Sequence, residues 1–131
     1  MKITLVTACR NSAPTIRTAL DSVLSQRDCT LEYLVIDGAS TDGTVEILRE
    51  YEPRFAGRMK WIPEPDEGMY DALNKGIRLA TGDFIGILNA DDYLDGENVL
   101  ARVSAFVEEA NRAETYTSTT LRKGLYLLGA A

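Results

Sequence analysis

Residues 84–92 read FIGILNADD, a run of apolar and small residues that passes directly into the oxygen-bearing side chains Asn89, Asp91 and Asp92. A short apolar run that stops at turn-forming polar residues is predicted to be a strand. Its neighbours are helical. Upstream, Leu73, Ile77 and Ala80 fall at i, i+4 and i+7, and Thr81-Gly82 ends the pattern. Downstream, Asp95 is placed to cap a helix whose apolar face is Leu100, Val103 and Val107.

The same alternation extends back to the start of the chain. The β-branched run KITLVT, residues 2–7, stops at the polar cluster Cys9, Arg10, Asn11 and Ser12. Asn11 or Ser12 can cap the helix that follows, Pro14 fits its first turn, and Ile16, Leu20, Val23 and Leu24 share one face. A second strand over 31–36 ends at Asp37-Gly38. Ser40, Thr41 or Asp42 can cap the next helix, which runs through Val45, Leu48 and Tyr51. Pro53 and Gly57 close that helix, and 59–62 reads as a third strand broken by Pro63 and Pro65. From Thr115 onward the sequence is polar and β-leaning, then weakly apolar, and resolves into no definite element. Strands alternating with helices place the chain in the α/β class, with a Rossmann-like, mainly parallel sheet flanked by helices in a single domain over 1–131. Ligands in such sheets collect at the carboxyl ends of the strands. Residues 7–10, 37–40, 64–68 and 89–92 are therefore expected to converge on one edge.

Composition narrows what can happen there. The 131 residues carry 20 acids against 14 bases, a net charge of −6, and no histidine. That balance excludes recognition of nucleic acid through its phosphates, which needs clustered Lys and Arg. Without histidine there is no Ser-His-Asp triad, Cys-His dyad or His-ligated zinc, so acid-base and metal chemistry falls to carboxylates. An acidic protein that handles phosphates calls for a cation. The first strand-helix turn reads TACRNSAP, with none of the glycines a dinucleotide fold requires, and the phosphate-loop pattern is absent too. Cys9 and Cys29 lack metal-ligand spacing and read as reduced, structural thiols. No apolar run reaches the ~20 residues that cross a bilayer, and MKITLVTACRN is unlike a signal peptide, so a cytoplasmic protein is expected.

Each candidate site residue has a plain alternative beside its functional reading. Adjacent acids such as Asp91 and Asp92 repel one another unless a positive charge sits between them, which a hard Mg²⁺ or Mn²⁺ bridging a diphosphate would provide. Their alternative is to cap the following turn. Asp37, in the loop DGASTDGT, can accept hydrogen bonds from a base or ribose while Gly38 admits close backbone approach; alternatively it is a turn acid, and Asp42 reads as a cap. Arg10 is balanced between a solvated charge and a partner for phosphates or base. In EPDEGMYDALNKG, Asp66 and Gly68 precede a helix bearing Asp71, Asn74 and Lys75, the last a solvated lysine or a point charge near a diphosphate.

Taken together, VTACRNSAPTIRTALDSVLSQ, VIDGASTDGT and PDEGMYDALNKGIRLATGDFIGILNADD resemble the inverting glycosyltransferases of family 2, which have the GT-A fold; the likeness covers roughly residues 2–111. The resemblance implies the nucleotide-binding half of that fold, a nucleoside-diphosphate sugar donor and a divalent metal cofactor, Mn²⁺ or Mg²⁺. Carried over by position, Thr7, Ala8 and Arg10 belong to the loop lining the base and Asp37 to the acid beside base and ribose. Asp66, Gly68 and Asn74 join the donor-binding set with Asn89 and Asp91, and Asp91 and Asp92 are the metal-facing carboxylates. Two positions depart from the pattern. Many members have two consecutive acids where this chain has Asp37-Gly38, which leaves the base contact to another group. Asn89 stands where the first acid of the family's Asp-x-Asp element is common, and it offers an oxygen without a charge.

The resemblance also implies a catalytic base well beyond the metal-binding acids. Asp95, Glu97, Glu108, Glu109 and Glu114 fit a helix cap or a solvated helix face better than a cleft, so no base is assigned. The expectation is a family 2 domain incomplete on its acceptor-binding C-terminal side. It would take part in inverting transfer to a glycan or lipid-linked acceptor, or bind nucleotide sugar without turnover. A homo-oligomer or partner chain could complete the acceptor site, at the inner face of the membrane if the protein is peripheral.

Overall fold

Residues 1–65, 68–112 and 125–128 are described by a computed structural model. Two eight-residue strands, β1 (Lys2–Cys9) and β2 (Thr30–Asp37), pair in parallel from Lys2↔Thr30 to Cys9↔Asp37. β3 (Met59–Pro63) joins the far side of β2 and β4 (Phe84–Leu88) the far side of β1, both parallel. β5 (Leu125–Leu128) pairs in parallel with β4, giving the order β3-β2-β1-β4-β5. The stretch of tail least legible in the sequence thus contributes a strand, and every pairing is parallel. Residues 113–124 and 129–131 lie outside the described residues, as does the candidate Asp66.

The helices are α1 (Ala13–Leu24), α2 (Thr44–Tyr51), α3 (Met69–Leu79) and α4 (Val99–Arg112), with a 3₁₀ turn at Glu52–Phe55 where Pro53 stops α2. Period-2 alternation splits the sheet between two cores. Ile3, Leu5, Tyr33, Val35 and Phe84 pack with Ile16, Leu20 and Val23 of α1, Leu48 of α2, and Leu100 and Val107 of α4. Val6, Leu34 and Ile85 face the other way, against Leu73 and Ile77 of α3 and Ala80 just beyond its end. α3 rides close over β1 because Gly76 has no side chain: a Cβ there would lie 2.4 Å from Val6 Cγ1. Gly82 does the same for the turn into β4, where a Cβ would lie 2.6 Å from the Thr4 backbone nitrogen.

Two capping expectations are corrected, at α1 and α4, while Asp42 caps α2 as expected. Ser12 does not cap α1 through its hydroxyl; the first free N–H of the helix, at Ala13, donates instead to Asp42 Oδ2 from the following loop, at 3.1 Å. The same Asp42 accepts from Thr44 N through Oδ1, also at 3.1 Å, so one carboxylate serves the starts of two helices. Those hydrogen bonds hold it below the usual carboxylate range, the Thr44 hydroxyl contributing most. For α4, Leu100 N donates to Gln26 Oε1 at 3.0 Å, and Asp95 stands outside the helix start. Gln26 also donates to the carbonyls of Ser22 and Gly96, which ties the 93–98 segment to the end of α1. A glutamine with those partners was invisible in the sequence, because all of them lie far along the chain or at a helix end.

Candidate functional site

The strand register sets where the site lies. Cys9 and Asp37 are level at the ends of β1 and β2, Asp37 is level with Pro63 on β3, and Leu88 ends β4 beside Thr7. Loops leaving these positions meet over one edge and enclose a cleft of about 430 Å³. Its walls are the β1–α1 turn (Ala8, Cys9, Arg10, Ser12), the first turn of α3 (Gly68, Met69, Ala72) and the turn after β4 (Asn89, Ala90, Asp91). That volume falls within the usual range for small-molecule and cofactor pockets.

Five candidates named from the sequence line this cleft: Ala8, Arg10, Gly68, Asn89 and Asp91. Others sit beside it. Thr7 is fully buried; its hydroxyl donates to Leu88 O at 2.7 Å and accepts from Tyr33 Oη at 2.8 Å, which welds β1 to both neighbouring strands. Burial drives the Tyr33 phenol far above its ordinary pKa and keeps it a donor. Asp37 is also fully buried, with its carboxylate held by Ser40 N at 3.1 Å, Ser40 Oγ at 2.6 Å and Cys9 Sγ at 3.5 Å. Asn74 is exposed on α3, away from the lining residues. Lys75 does not face the cleft either; it bridges Glu64 at 3.2 Å and Asp71 at 3.5 Å, pinning the segment after β3 to α3.

The turn after β4 presents its two acids differently. Asp92 N donates to Asn89 O at 3.0 Å, and Asn89 Nδ2 donates back to Asp92 Oδ2 at 3.4 Å. This closes a four-residue turn whose exposed corner is Asp91. Among the described residues no hydrogen bond or ion pair reaches the Asp91 carboxylate or the Arg10 guanidinium, so the cleft carries one such group of each sign. No cluster of three or more His, Cys, Asp or Glu exists among the described residues. A hard cation held through one or two carboxylates, with the remaining positions filled by water and phosphate oxygens, suits what is present.

Helix ends decide where an anion could sit. A dinucleotide fold seats pyrophosphate on the N-terminus of the first helix. Here that end is closed: Asp42 occupies Ala13 N, Thr44 Oγ1 accepts from Ser12 N at 2.9 Å, and Pro14 has no N–H. The first turn of α3, by contrast, lines the cleft through Gly68, Met69 and Ala72. Thr15, Met69 and Ala72 line the cleft from the first turns of α1 and α3, outside the stretches expected to converge there, since nothing in their residue types marks them as facing it.

Comparison with known proteins agrees with this fold. The profile of the family described as Glycosyl transferase family 2 matches residues 4–122. A PGL/p-HBAD biosynthesis glycosyltransferase of Mycobacterium bovis is 35% identical over 122 residues, covering 92% of this chain and 48% of that protein. The chain thus spans about half the length of such relatives. Among solved structures, S. aureus TarS in complex with UDP-GlcNAc superposes with a TM-score of 0.74 at 26% identity, over 83% of this chain and 32% of TarS. The mannosyltransferase PcManGT of Pyrobaculum calidifontis, in complex with GDP-Man and Mn²⁺, gives 0.69 at 33% identity, over 80% of this chain and 32% of the other.

Proposed function

This chain belongs to glycosyl transferase family 2, and from that premise we propose that its cleft holds a nucleoside-diphosphate sugar together with a divalent cation, as the donor side of an inverting sugar transfer. The observation that carries the reading is the placing on one cleft of Arg10 and Asp91, whose charged groups have no partner among the described residues, beside the first turn of α3. Arg10 supplies a fork of donors that matches phosphate oxygens, and the helix end favours negative charge. Asp91, with Asp92 behind it, would hold Mn²⁺ or Mg²⁺, which when bound neutralises charge building on the departing diphosphate. The small side chains of Ala8, Ala72 and Ala90 leave the volume that a nucleotide fills. Asp37 orders the loop beside the base, and Thr7 fixes the strand ends beneath it.

In an inverting transfer an acceptor hydroxyl forms a bond to the anomeric carbon as the bond to the diphosphate breaks, and a base on the opposite face takes the hydroxyl proton. Asp91 is the one carboxylate among the described lining residues, and its place is with the cation. We infer that this chain by itself binds donor and transfers little sugar, with the acceptor, a glycan or lipid-linked molecule, completed by further polypeptide or a partner. No helix among the described residues is long and apolar enough to cross a membrane. A cytoplasmic protein, peripheral to the inner face of the membrane when it meets a lipid-linked acceptor, fits that reading.

The test is thermal denaturation with UDP, GDP, UDP-GlcNAc and GDP-Man, each with and without Mn²⁺, beside Mn²⁺ alone. A ligand that binds only the folded state raises the midpoint, by an amount that corresponds to about 2.7 kcal/mol at a hundredfold excess over Kd. A shift with at least one nucleotide, lost on adding EDTA, is the expected result. No shift with any of the four overturns the reading.

A further inference from the structure

Resting on the donor-binding reading, we propose that Asn11 and Ser40 are positioning residues that set Arg10 against the diphosphate of the bound nucleotide. The Arg10 carbonyl accepts from Ser12 Oγ at 3.4 Å, but its guanidinium has no partner among the described residues, whereas the residues on either side are held to the loop after β2. On one side, Cys9 O accepts from Gly38 N at 2.9 Å and Cys9 Sγ reaches Asp37 Oδ1. On the other, Asn11 N donates to Ser40 Oγ at 2.8 Å, and Asn11 Oδ1 accepts from Thr41 N at 2.8 Å. Both anchors of Arg10 therefore lie in the loop after β2, and that loop is itself fixed to the buried Asp37 through Ser40.

Ser40 is the joint of this relay. Its hydroxyl accepts from Asn11 and donates to Asp37, so the buried carboxylate fixes the hydroxyl direction and the hydroxyl fixes the turn after Arg10. Asn11 completes the turn with φ 50, a left-handed conformation that asparagine tolerates better than most residues. The chain is redirected there, leaving the Arg10 side chain on the cleft wall while Asn11 faces the neighbouring loop. A long, flexible guanidinium gains affinity when its backbone is fixed in advance, because less freedom is lost on binding.

A double-mutant cycle tests this through calorimetric affinity for UDP with Mn²⁺. Asn11→Gly keeps the left-handed backbone and loses the Thr41 bond; Ser40→Ala breaks the relay; Ser40→Thr restores the hydroxyl. Each of the first two is expected to weaken UDP binding about tenfold, the scale of one well-placed hydrogen bond, and Ser40→Thr to recover most of it. In an Arg10→Ala background the same two substitutions are expected to cost nothing further, because their effect passes through Arg10. Should Ser40→Ala unfold the chain, the Asn11→Gly pair alone decides. Losses that persist undiminished without Arg10 overturn the proposal and leave donor binding standing, whereas a wild-type chain that binds no nucleotide overturns both.

Discussion

Glu32 and Asp37 mark opposite ends of β2, and the two ends use their polar groups in opposite ways. At the amino edge of the sheet Glu32 accepts from Thr4 Oγ1 at 2.8 Å and from Thr81 N and Thr81 Oγ1, each at 2.9 Å, with Lys2 Nζ at 3.8 Å. Lys2 N in turn donates to Asp83 Oδ2 while Asp83 N donates to Lys2 O, and Gly82 N donates to Thr4 Oγ1. Lys2, Glu32 and Asp83 are thus all paired within the protein. At the carboxyl edge the buried groups Thr7 and Asp37 are just as fully satisfied, but the layer above them leaves Arg10 and Asp91 with no partner among the described residues. The difference separates an edge that holds the sheet together from an edge built in two tiers, a saturated base and an unsatisfied rim that a charged ligand can complete.

The largest effect is expected from breaking the amino edge. Gly82→Ala drives a Cβ against the Thr4 hydroxyl and against the backbone atoms Thr4 N and Lys2 O, which cannot swing aside. Unfolding in urea should show a loss of about 3 kcal/mol, the upper range for overpacking, with nucleotide affinity per folded molecule unchanged. The rim should respond in the reverse sense. Asp91→Asn is expected to lower metal-dependent UDP affinity by at least about tenfold, the scale of losing one hydrogen bond to a charged group, while the melting temperature without ligand stays put. An equal loss in EDTA would remove the cation from Asp91.

Arg10→Ala tests the other rim charge. Affinity for UDP should fall by about tenfold or more, given that hydrogen bonds to charged groups contribute about 1.5–3 kcal/mol, and affinity for uridine should hold. The smallest effect belongs to Glu32→Gln, expected to cost about 1 kcal/mol at neutral pH. Burial alone would raise the Glu32 pKa, but hydrogen bonds from Thr81 and Thr4 and the charge of Lys2 outweigh it and the net shift is downward. A carboxylate lowered in the folded state stabilises it above its unfolded pKa, and that stability is lost as pH falls toward the folded value. Wild type should therefore lose more stability than Glu32→Gln on acidification below about pH 4.5, the ordinary range of a glutamate.

Much of the fold was legible because its signals are local. FIGIL and KITLVT announce strands by composition, and Ile16, Leu20 and Val23 announce one face of α1 by spacing, since side-chain periodicity follows from backbone geometry. Their alternation implied a parallel sheet and a carboxyl-edge site, and absent glycines argued against a dinucleotide mode. Caps, partners and facing directions were not legible. Thr7 and Ala8 point to opposite sides of β1, and in a strand buried on both sides nothing in the residue types says which of the two meets the cleft. Asp37 and Asp91 are both acids at the carboxyl end of a strand, yet one is buried among hydrogen-bond donors and the carboxylate of the other has no partner among the described residues. That distinction belongs to contacts between segments far apart in sequence, such as Asp42 with Ala13 or Gln26 with Leu100, whose hydrogen bonds exist only once the chain has closed. The sequence by itself determined the class of fold, the edge at which chemistry gathers and the absence of histidine chemistry; tertiary structure alone decided which polar groups are consumed in holding that edge and which remain for a ligand, because satisfaction of a buried charge depends on what packs against it in space.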